Sequence, residues 1–278
     1  EVSEDEQNGA NAKEIMVSQR PNMAALFASA TTGITKSSIL TKTLNSLAWR
    51  TRNSSAKRYP LTMNIGEEVV TFHVKQVQGG EIEGTYGTGA TVWPSSVVLI
   101  KYLELLASKD PNYFKGKSVI DLGAGTCISS IACALLGCCL VVATDGNDHC
   151  VELATSIVDM ACSEIKDIIT PSTSRTVGGA RFIGRSEIRV RKYWWGKDDL
   201  SILEETEQPH YDIILCSDCV LPKLYPIDPL VKAIAALSGP ESVTYVAYEQ
   251  RYYSEFNPKI RFRELCEKNG LAVDVIPQ

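Results

Sequence analysis

Histidine is scarce in this chain, and long apolar runs and an excess of basic charge are absent from it. The 278 residues contain three histidines, at isolated positions that offer no arrangement for activating a nucleophile. No apolar run approaches the roughly 20 residues of a membrane-spanning helix. The net charge of −5 and the pI near 5.4 disfavour a general nucleic-acid binder, which is usually basic. We therefore expect partners other than a membrane or a nucleic acid.

A disulfide framework is also missing, although cysteine occurs nine times. The cysteines lie largely inside apolar runs, and their odd number suits reduced thiols. The C-x-x-C spacing of Cys216 and Cys219 has no second pair and no matching histidines for zinc. Cys216 ends an apolar run, whereas a redox pair usually opens a helix. These features favour an enzyme of the cytoplasm, and of the nucleus as well, without a metal site.

What the chain does contain is an apolar run that ends in a glycine turn. Residues 119–126 read Val-Ile-Asp-Leu-Gly-Ala-Gly-Thr, and residues 141–145 read Val-Val-Ala-Thr-Asp. The pattern predicts a buried parallel strand, a tight turn at Gly123 and Gly125 close to a ligand, a helix and a second strand. Asp145, 24 residues after Asp121, ends the second strand. There it is placed to hydrogen-bond the hydroxyls of a ribose.

The residues around this turn discriminate between nucleotide cofactors. A dinucleotide site has the pattern Gly-x-Gly-x-x-Gly, and Ile128 stands at the place of the third glycine. Asp121 lies inside the turn, where its negative charge repels a pyrophosphate and suits a cationic amino group. S-adenosyl-L-methionine carries a ribose and an amino group but no phosphate. The sequence therefore favours this cofactor over a nicotinamide dinucleotide.

Strand and helix patterns alternate through most of the chain. We expect residues 1–55 to be a disordered or partly helical extension, with helices at 23–30 and 37–49, and residues 56–278 to form one domain. Strands at 59–65 and 69–77 form a predicted small N-terminal β-hairpin. The alternation that follows predicts an α/β fold with a doubly wound, mostly parallel sheet. Its predicted strands are 118–122, 140–144, 189–194, 211–217, 242–248 and 271–276, and its helices are 127–136, 150–162, 226–237 and 258–269. A Ser/Thr/Gly-rich stretch at 170–184 predicts a flexible, exposed insertion near 168–186.

Five motifs occur in an order that resembles one known family. They are residues 88–94 (Thr-Gly-Ala-Thr-Val-Trp-Pro), 121–125 (Asp-Leu-Gly-Ala-Gly), 194–196 (Trp-Trp-Gly), 217–218 (Ser-Asp) and 248–251 (Tyr-Glu-Gln-Arg). From about Gly84 to Pro277 the chain is similar to the methyltransferase-like 21 family of seven-stranded protein lysine methyltransferases. Tyr-Glu-Gln-Arg and the following Asn-Pro-Lys-Ile at 257–260 resemble the branch that acts on the valosin-containing protein.

The resemblance implies a class I methyltransferase sheet, S-adenosyl-L-methionine as cofactor and a lysine of a protein as substrate. The implied partner is an AAA-type ATPase or a chaperone, and we expect the chain to be a monomer. The resemblance also implies roles for residues that match the motifs. Asp218 would be the catalytic acid at the entrance for the target lysine. The cofactor would contact Trp93 in the pocket wall, Gly123, Ala124 and Gly125 at its methionine part, Asp145 at its ribose, Trp195 at its adenine and the backbone of Ser217.

The chain departs from the family pattern at three places. Many relatives have a glycine where Cys127 stands, which predicts a change in helix packing beneath the cofactor. The tyrosine of the family's Asp-x-x-Tyr motif is replaced by Leu221, and Tyr225, one helical turn further, is the candidate substitute. The sequence ends just after the predicted strand 271–276, before the antiparallel last strand of the usual sheet. We expect a truncated sequence.

Other interpretations stay open on the sequence alone. Asp218 is expected either to accept a hydrogen bond from the target amine or to cap the segment that follows it. Trp93 and Trp195 either line the pocket or only cover the core. The alternatives to a protein-lysine methyltransferase are a methyltransferase for a small molecule or nucleic acid, and a silent cofactor-binding adaptor, which Leu221 favours. The Asn/Asp-Pro-Pro-Tyr motif of many amino-methylating enzymes is replaced by Ser-Asp-Cys-Val at 217–220, which counts against the first alternative.

Overall fold

A two-stranded hairpin and a seven-stranded sheet carry the fold in the computed structural model. The structure describes residues 53, 56–77, 86–165, 176–177, 180–196, 200–206, 208–221, 225–249 and 257–276. The predicted helices at 23–30 and 37–49 lie outside these residues. The strands are β1 (Arg58–Ile65), β2 (Glu68–Lys75), β3 (Ser118–Leu122), β4 (Leu140–Asp145), β5 (Thr176–Val177), β6 (Ala180–Ile183), β7 (Ser186–Lys192), β8 (Tyr211–Ser217) and β9 (Ser238–Ala247). The helices are α1 (Pro94–Lys109), α2 (Ile128–Leu135), α3 (Asp148–Ile165), α4 (Ile227–Leu237) and α5 (Pro258–Lys268), with a 3-10 helix at Ser201–Glu205.

The predicted hairpin is confirmed. β1 and β2 pair antiparallel around a turn at Gly66, whose φ of 63° lies in the left-handed region. Apolar side chains alternate along both strands, so one face is buried and the other faces solvent. The buried face packs on α1 and α3. Asn64 donates its backbone N–H to Oε1 of Glu104 on α1 at 2.7 Å, and Arg58 forms an ion pair with Glu164 on α3. The hairpin is therefore part of the domain.

The large sheet has the strand order β5-β6-β7-β4-β3-β8-β9. The five strands from β7 to β9 are parallel, and β5 and β6 add an antiparallel hairpin at one edge. Residues alternate between the two faces: Val119 and Ile213 face the hairpin with α1, α2 and α3, while Ile120 and Ile214 face α4 and α5. This confirms a doubly wound, mostly parallel α/β fold. Among the described helices, none is both long and apolar enough to cross a bilayer.

Two predictions of secondary structure, at residues 170–184 and 271–276, were wrong. The stretch 170–184 was expected to be an exposed loop, but its described part contains β5 and β6, and Ile183 is buried. Pairing with β7 turns a loop-like composition into an edge hairpin. The strand expected at 271–276 is also wrong, because these residues have no regular secondary structure. Leu271 and Val273 pack instead as partly buried side chains against the cluster formed by α4 and α5.

The order of the strands identifies where a ligand can bind. From β3 the chain moves to β4 and β7 on one side, and it then returns to β8 and β9 on the other side of β3. The connection after β3 leads to β4 on one side, and the connection after β8 leads to β9 on the other side. Because the two connections diverge, a crevice forms at the carboxyl ends of β3 and β8. The glycine turn follows β3, and Asp218 follows β8. The fold thus brings these two segments together.

Two neighbouring valines of β2 test whether the hairpin contributes to stability. Val70 is 0% exposed and faces the core, whereas Val69 is 64% exposed. We expect Val70→Ala to lower the free energy of unfolding by about 2 kcal/mol, because it removes buried methyl groups and leaves a cavity. Val69→Ala, the matched control, should change it by less than about 0.5 kcal/mol. Urea unfolding followed by circular dichroism measures both, and equal effects would contradict the docking of the hairpin.

Candidate active site

A cavity of about 370 Å³ lies at the carboxyl ends of the central strands. Its walls come from the glycine turn after β3, the end of β4, the segment after β7, the segment after β8 and the loop that precedes α1. All nine predicted site residues line it: Trp93, Asp121, Gly123, Ala124, Gly125, Asp145, Trp195, Ser217 and Asp218. A volume of this size is typical of pockets for small molecules and cofactors. The nine residues are thus gathered into one site, and their individual roles stay predictions.

The glycine turn brings two backbones into contact. Gly123 and Gly125 have φ values of 71° and 51°. A Cβ on Gly125 would lie 2.8 Å from the carbonyl oxygen of Gly89, and a Cβ on Gly123 would lie 3.2 Å from the ring of Trp195. The N–H of Ala124 donates to the carbonyl of Thr144 at 2.7 Å, which ties the turn to β4. Conformation and space therefore both require glycine here.

Cys127 adopts a backbone conformation that favours glycine. It is the residue before α2 and has a φ of 56°, in the left-handed region. A residue with a Cβ pays about 1–2 kcal/mol to adopt this conformation, and glycine does not. Cys127 therefore adds backbone strain at the start of α2.

Asp121 is a buried carboxylate, and one of its two oxygens accepts no hydrogen bond from the described residues. Its side chain is 1% exposed, and Oδ2 accepts a hydrogen bond from Ser130 Oγ at 2.7 Å. Oδ1 has no hydrogen-bond partner among the described residues. Burial raises the pKa of Asp121 to about 7, and the nearby charge of Asp145 adds to the rise. A cation in the cavity near Asp121 would favour the ionised form of this carboxylate.

Asp145 connects β4 to the glycine turn. Its Oδ2 accepts a hydrogen bond from the N–H of Gly125 at 3.3 Å, and its Oδ1 accepts one from the N–H of Asn147 at 3.0 Å. Burial raises the pKa of this half-buried carboxyl. The predicted position at the carboxyl end of β4 is confirmed. Each oxygen keeps a second lone pair that could accept a hydrogen bond from a ribose hydroxyl.

Tryptophan rings form two walls of the cavity. Trp195 packs beside Gly123 and meets the ring of Tyr225 edge-on, with centroids 5.9 Å apart. Trp93 precedes α1 and donates its Nε1–H to the carbonyl of Thr88 at 2.8 Å. Trp194 lies at the rim, 56% exposed, with its ring against the backbone of Gly146. The predicted pair of tryptophans therefore lines the cavity rather than only covering the core.

Ser217 and Asp218 end β8 at the opposite wall. The hydroxyls of Ser217 and Ser96 lie 2.5 Å apart and join β8 to α1. Asp218 is 4% exposed and has a φ of 57°, which is strained for a residue with a side chain. Its N–H donates to the carbonyl of Ala247 at 2.7 Å, and its Oδ1 accepts from the N–H of Glu249 at 3.1 Å. The carboxylate is thus tied to the end of β9.

Several lining residues other than Tyr225 had no role predicted from the sequence. Thr88 and Tyr225 are joined by a side-chain hydrogen bond across the cavity. Tyr225, the candidate substitute for the family tyrosine, donates its N–H to the carbonyl of Leu221 at 2.7 Å, and both side chains line the cavity. Thr88 belongs to the motif at residues 88–94, in which only Trp93 had a predicted role. The further lining residues without a predicted role are Tyr86, Gly87, Gly89, Thr91, Ser96, Thr126, Ser129, Gly146, Asn147, Cys150, Tyr193, Trp194, Cys219, Pro226 and Pro229.

The charge of the cavity has one sign. Its described lining includes Asp121, Asp145 and Asp218 and contains no lysine, arginine or histidine. Such a wall repels the pyrophosphate of a dinucleotide and attracts a cation. S-adenosyl-L-methionine carries a sulfonium, an ammonium, one carboxylate and a ribose, but no pyrophosphate. The carboxylates of Asp121 and Asp145 beside the glycine turn suit its cationic groups and its ribose hydroxyls.

Residues 75–263 match the model of a protein family described as lysine methyltransferase. The chain is also similar to curated proteins of that activity. It is 31% identical over 190 residues to protein N-lysine methyltransferase METTL21A of Xenopus tropicalis, covering 68% of this chain and 72% of the relative. It is 27% identical over 191 residues to EEF1A lysine methyltransferase 3 of the same organism, covering 66% and 70%.

Other relatives are matched over less of their length. METTL21A of Danio rerio is 30% identical over 167 residues, which are 60% of this chain and 63% of that protein. Methyltransferase-like protein 23 of Dictyostelium discoideum is 35% identical over 71 residues, which are 26% of this chain. The chain spans 28% of the length of that relative.

Gly125 tests the backbone contact at the turn. Gly125→Ala would force the turn away from Gly89, and we expect an affinity for S-adenosylhomocysteine at least about tenfold lower, since such a misplacement costs more than about 1.4 kcal/mol. Gly116→Ala is the matched control, because Gly116 also has a positive φ, of 74°, but open space around its missing Cβ. Isothermal titration calorimetry compares the two, and equal affinities would argue against the cradle.

The raised pKa of Asp121 predicts a pH-dependent stability of the ligand-free protein. Between the unfolded value of 3.8 and the folded value of about 7, the folded state binds more protons, so the free energy of unfolding falls as pH rises. From pH 5 to pH 8 this group should remove about 3 kcal/mol. Asp121→Asn should abolish that contribution while leaving those of other groups. Urea unfolding of both proteins at the two pH values measures it, and parallel pH profiles would refute the shifted pKa.

Proposed function

The chain belongs to the lysine methyltransferase family, and we propose that it transfers a methyl group from S-adenosyl-L-methionine to the side-chain amine of a lysine in a protein substrate. We place this activity in the domain at residues 56–278. The observation that carries the proposal is the cavity itself, in which three carboxylates and two tryptophans surround a glycine cradle and no lining cation opposes them among the described residues.

The proposed cofactor contacts follow from where each group lies. Asp121 would pair with the ammonium of the methionine part, beside the backbone of residues 123–125. Asp145 would accept hydrogen bonds from the ribose, and Trp195 would lie against the adenine. Trp93 and the backbone of Ser217 would complete the pocket. When bound, the cofactor supplies an electrophilic methyl group on a sulfonium.

Asp218 is the proposed catalytic residue. A displacement at a methyl group needs a neutral amine held in line, and it needs no covalent intermediate on the protein. A free lysine has a pKa of about 10.4 and is mostly charged near neutrality. A carboxylate at the cavity wall attracts this ammonium and, once the proton has left to solvent, accepts a hydrogen bond from the remaining N–H. That bond points the lone pair of the amine into the cavity.

The substrate protein is a finer proposal. Tyr-Glu-Gln-Arg at 248–251 and Asn-Pro-Lys-Ile at 257–260 support an AAA-type ATPase, with the valosin-containing protein as the first candidate. EEF1A, which appears in the name of two similar proteins, is the second candidate. We further propose that the chain acts as a monomer in the cytoplasm, and in the nucleus as well.

The replacement of the family tyrosine by Leu221 supports a second candidate function, a cofactor-binding adaptor without catalysis. The two functions share the cofactor site and differ in the fate of the methyl group. Incubation with radiolabelled S-adenosylmethionine, a cell lysate and each purified candidate substrate distinguishes them. Label on lysine of one protein supports the enzyme. Cofactor binding without any labelled protein supports the adaptor.

Asp218→Asn tests the catalytic assignment. Asparagine tolerates the left-handed conformation at this position, so the variant should fold. We expect methyl transfer to fall by about 10²–10³-fold, because the amide lacks the charge that attracts and orients the amine. The affinity for S-adenosylhomocysteine should stay within about threefold, a change below 1 kcal/mol. Labelled-methyl transfer and calorimetry measure the two quantities. Asp110→Asn, at the exposed end of α1, is the control. If Asp218→Asn lowered the affinity for S-adenosylhomocysteine by the same factor as methyl transfer, Asp218 would act on the cofactor and not on the substrate amine.

A further inference from the structure

Thr88 and Tyr225 are 137 residues apart in the chain and join opposite walls of the cavity by a hydrogen bond between their side-chain oxygens. Both residues line the cavity. Thr88 belongs to the loop at residues 86–93, and Tyr225 follows the segment that carries Asp218 and Leu221. The bond therefore links the loop next to the glycine turn with the segment next to the proposed substrate entrance.

The 86–93 loop is anchored at both ends, and only the end at residues 86–89 contacts Tyr225 through a hydrogen bond. Ala90 accepts a hydrogen bond from the N–H of Val77 at 3.0 Å, and the N–H of Val92 donates to Oε1 of Gln76 at 2.8 Å. Ala90 and Val92 are buried. Residues 86–89 are held by the packing of Gly89 on Gly125 and by hydrogen bonds from Trp93 Nε1 to the carbonyl of Thr88 at 2.8 Å and from the Cys150 thiol to the carbonyl of Tyr86. The hydrogen bond between the side chains of Thr88 and Tyr225 adds the contact to the opposite wall.

Tyr225 is held so that its hydroxyl reaches Thr88. Its N–H donates to the carbonyl of Leu221 at 2.7 Å, and its ring meets Trp195 edge-on. The proposed adenine wall and the 86–93 loop thus contact the same side chain. A change in the position of Tyr225 would therefore alter the contacts of both Trp195 and the 86–93 loop.

We propose that Tyr225 is a positioning residue whose hydrogen bond to Thr88 holds the 86–93 loop against the cavity and slows exchange of the bound cofactor and its demethylated product. The inference rests on the proposed function, because it takes the ligand to be S-adenosylmethionine. Its role differs from that of a tyrosine that contacts the substrate amine, since the hydroxyl is engaged with Thr88. The ligand leaves when residues 86–89 move away from the wall formed by Tyr225 and Trp195.

The dissociation rate of S-adenosylhomocysteine tests this role without requiring turnover. We expect Tyr225→Phe and Thr88→Val each to raise the rate about fivefold, the change that one ordinary hydrogen bond produces. The double variant should show the same increase as either single variant, because both remove one bond. In the ligand-free protein, the amide protons of residues 87–89 should exchange faster in Tyr225→Phe. Stopped-flow fluorescence and hydrogen-exchange mass spectrometry measure these quantities.

Tyr113→Phe is the matched control, because its hydroxyl bonds to that of Tyr245 outside the cavity, and the rate should be unchanged. An unchanged rate in Tyr225→Phe, a response of that variant alone, or additive effects near 25-fold in the double variant would each overturn the inference. If the unaltered protein fails to bind S-adenosylhomocysteine, the proposed function falls and this inference falls with it. Binding with unaltered exchange overturns the inference alone.

Discussion

The contact between the backbones of Gly89 and Gly125 is the constraint around which the site is arranged. Added Cβ atoms at these positions would meet the Cys150 thiol at 2.5 Å and the carbonyl of Gly89 at 2.8 Å, respectively. The contact joins three parts of the chain that are remote in sequence: the loop before α1, the turn after β3 and the first turn of α3. The two residues that follow β2, Gln76 and Val77, hold the other end of the 86–93 loop by hydrogen bonds to Val92 and Ala90. Because Gly89 and Gly125 both line the cavity, their contact sets the distance between two of its walls.

The site is built from groups that do not favour folding. Asp121 is buried with one oxygen unpartnered among the described residues, and Asp218 and Cys127 have positive φ values. Each of these features costs stability, and such features persist where the surrounding structure over-determines them. Here the surroundings are two apolar clusters on the two faces of the sheet. The apolar clusters on the two faces of the sheet thus stabilise the fold, and they offset the cost of the polar and strained residues at its carboxyl edge.

Much of the fold follows from the sequence because buried parallel strands are short apolar runs with turn residues at their ends. The predicted strands 118–122 and 211–217 agree with β3 and β8 to the residue. The nine site residues share a cavity because parallel strands end at one edge of a sheet. The predictions at 170–184 and 271–276 failed because a strand requires a partner, which composition and alternation do not reveal. β6 has one in β7.

The contact between Thr88 and Tyr225 lay beyond sequence reasoning for a related reason. The two residues share no spacing rule, and only the packed positions of the 86–93 loop and the segment after β8 bring them together. The left-handed conformation of Cys127 is similarly a property of the turn as folded, since a cysteine gives no local signal for it. Contacts between segments that are distant in sequence, and backbone conformations fixed by packing, are therefore found only in the folded structure.

The placement of β5 and β6 bears on how this chain can diverge. They lie at the outer edge of the sheet, separated from β3 by β7 and β4, and the described lining of the cavity includes no residue of β6. Insertions, deletions and substitutions there meet few constraints from chemistry, since β4 and β7 stand between them and the glycine turn. This edge of the sheet can therefore accumulate sequence change rapidly, so that differences in its length between relatives carry little information about whether they share a reaction.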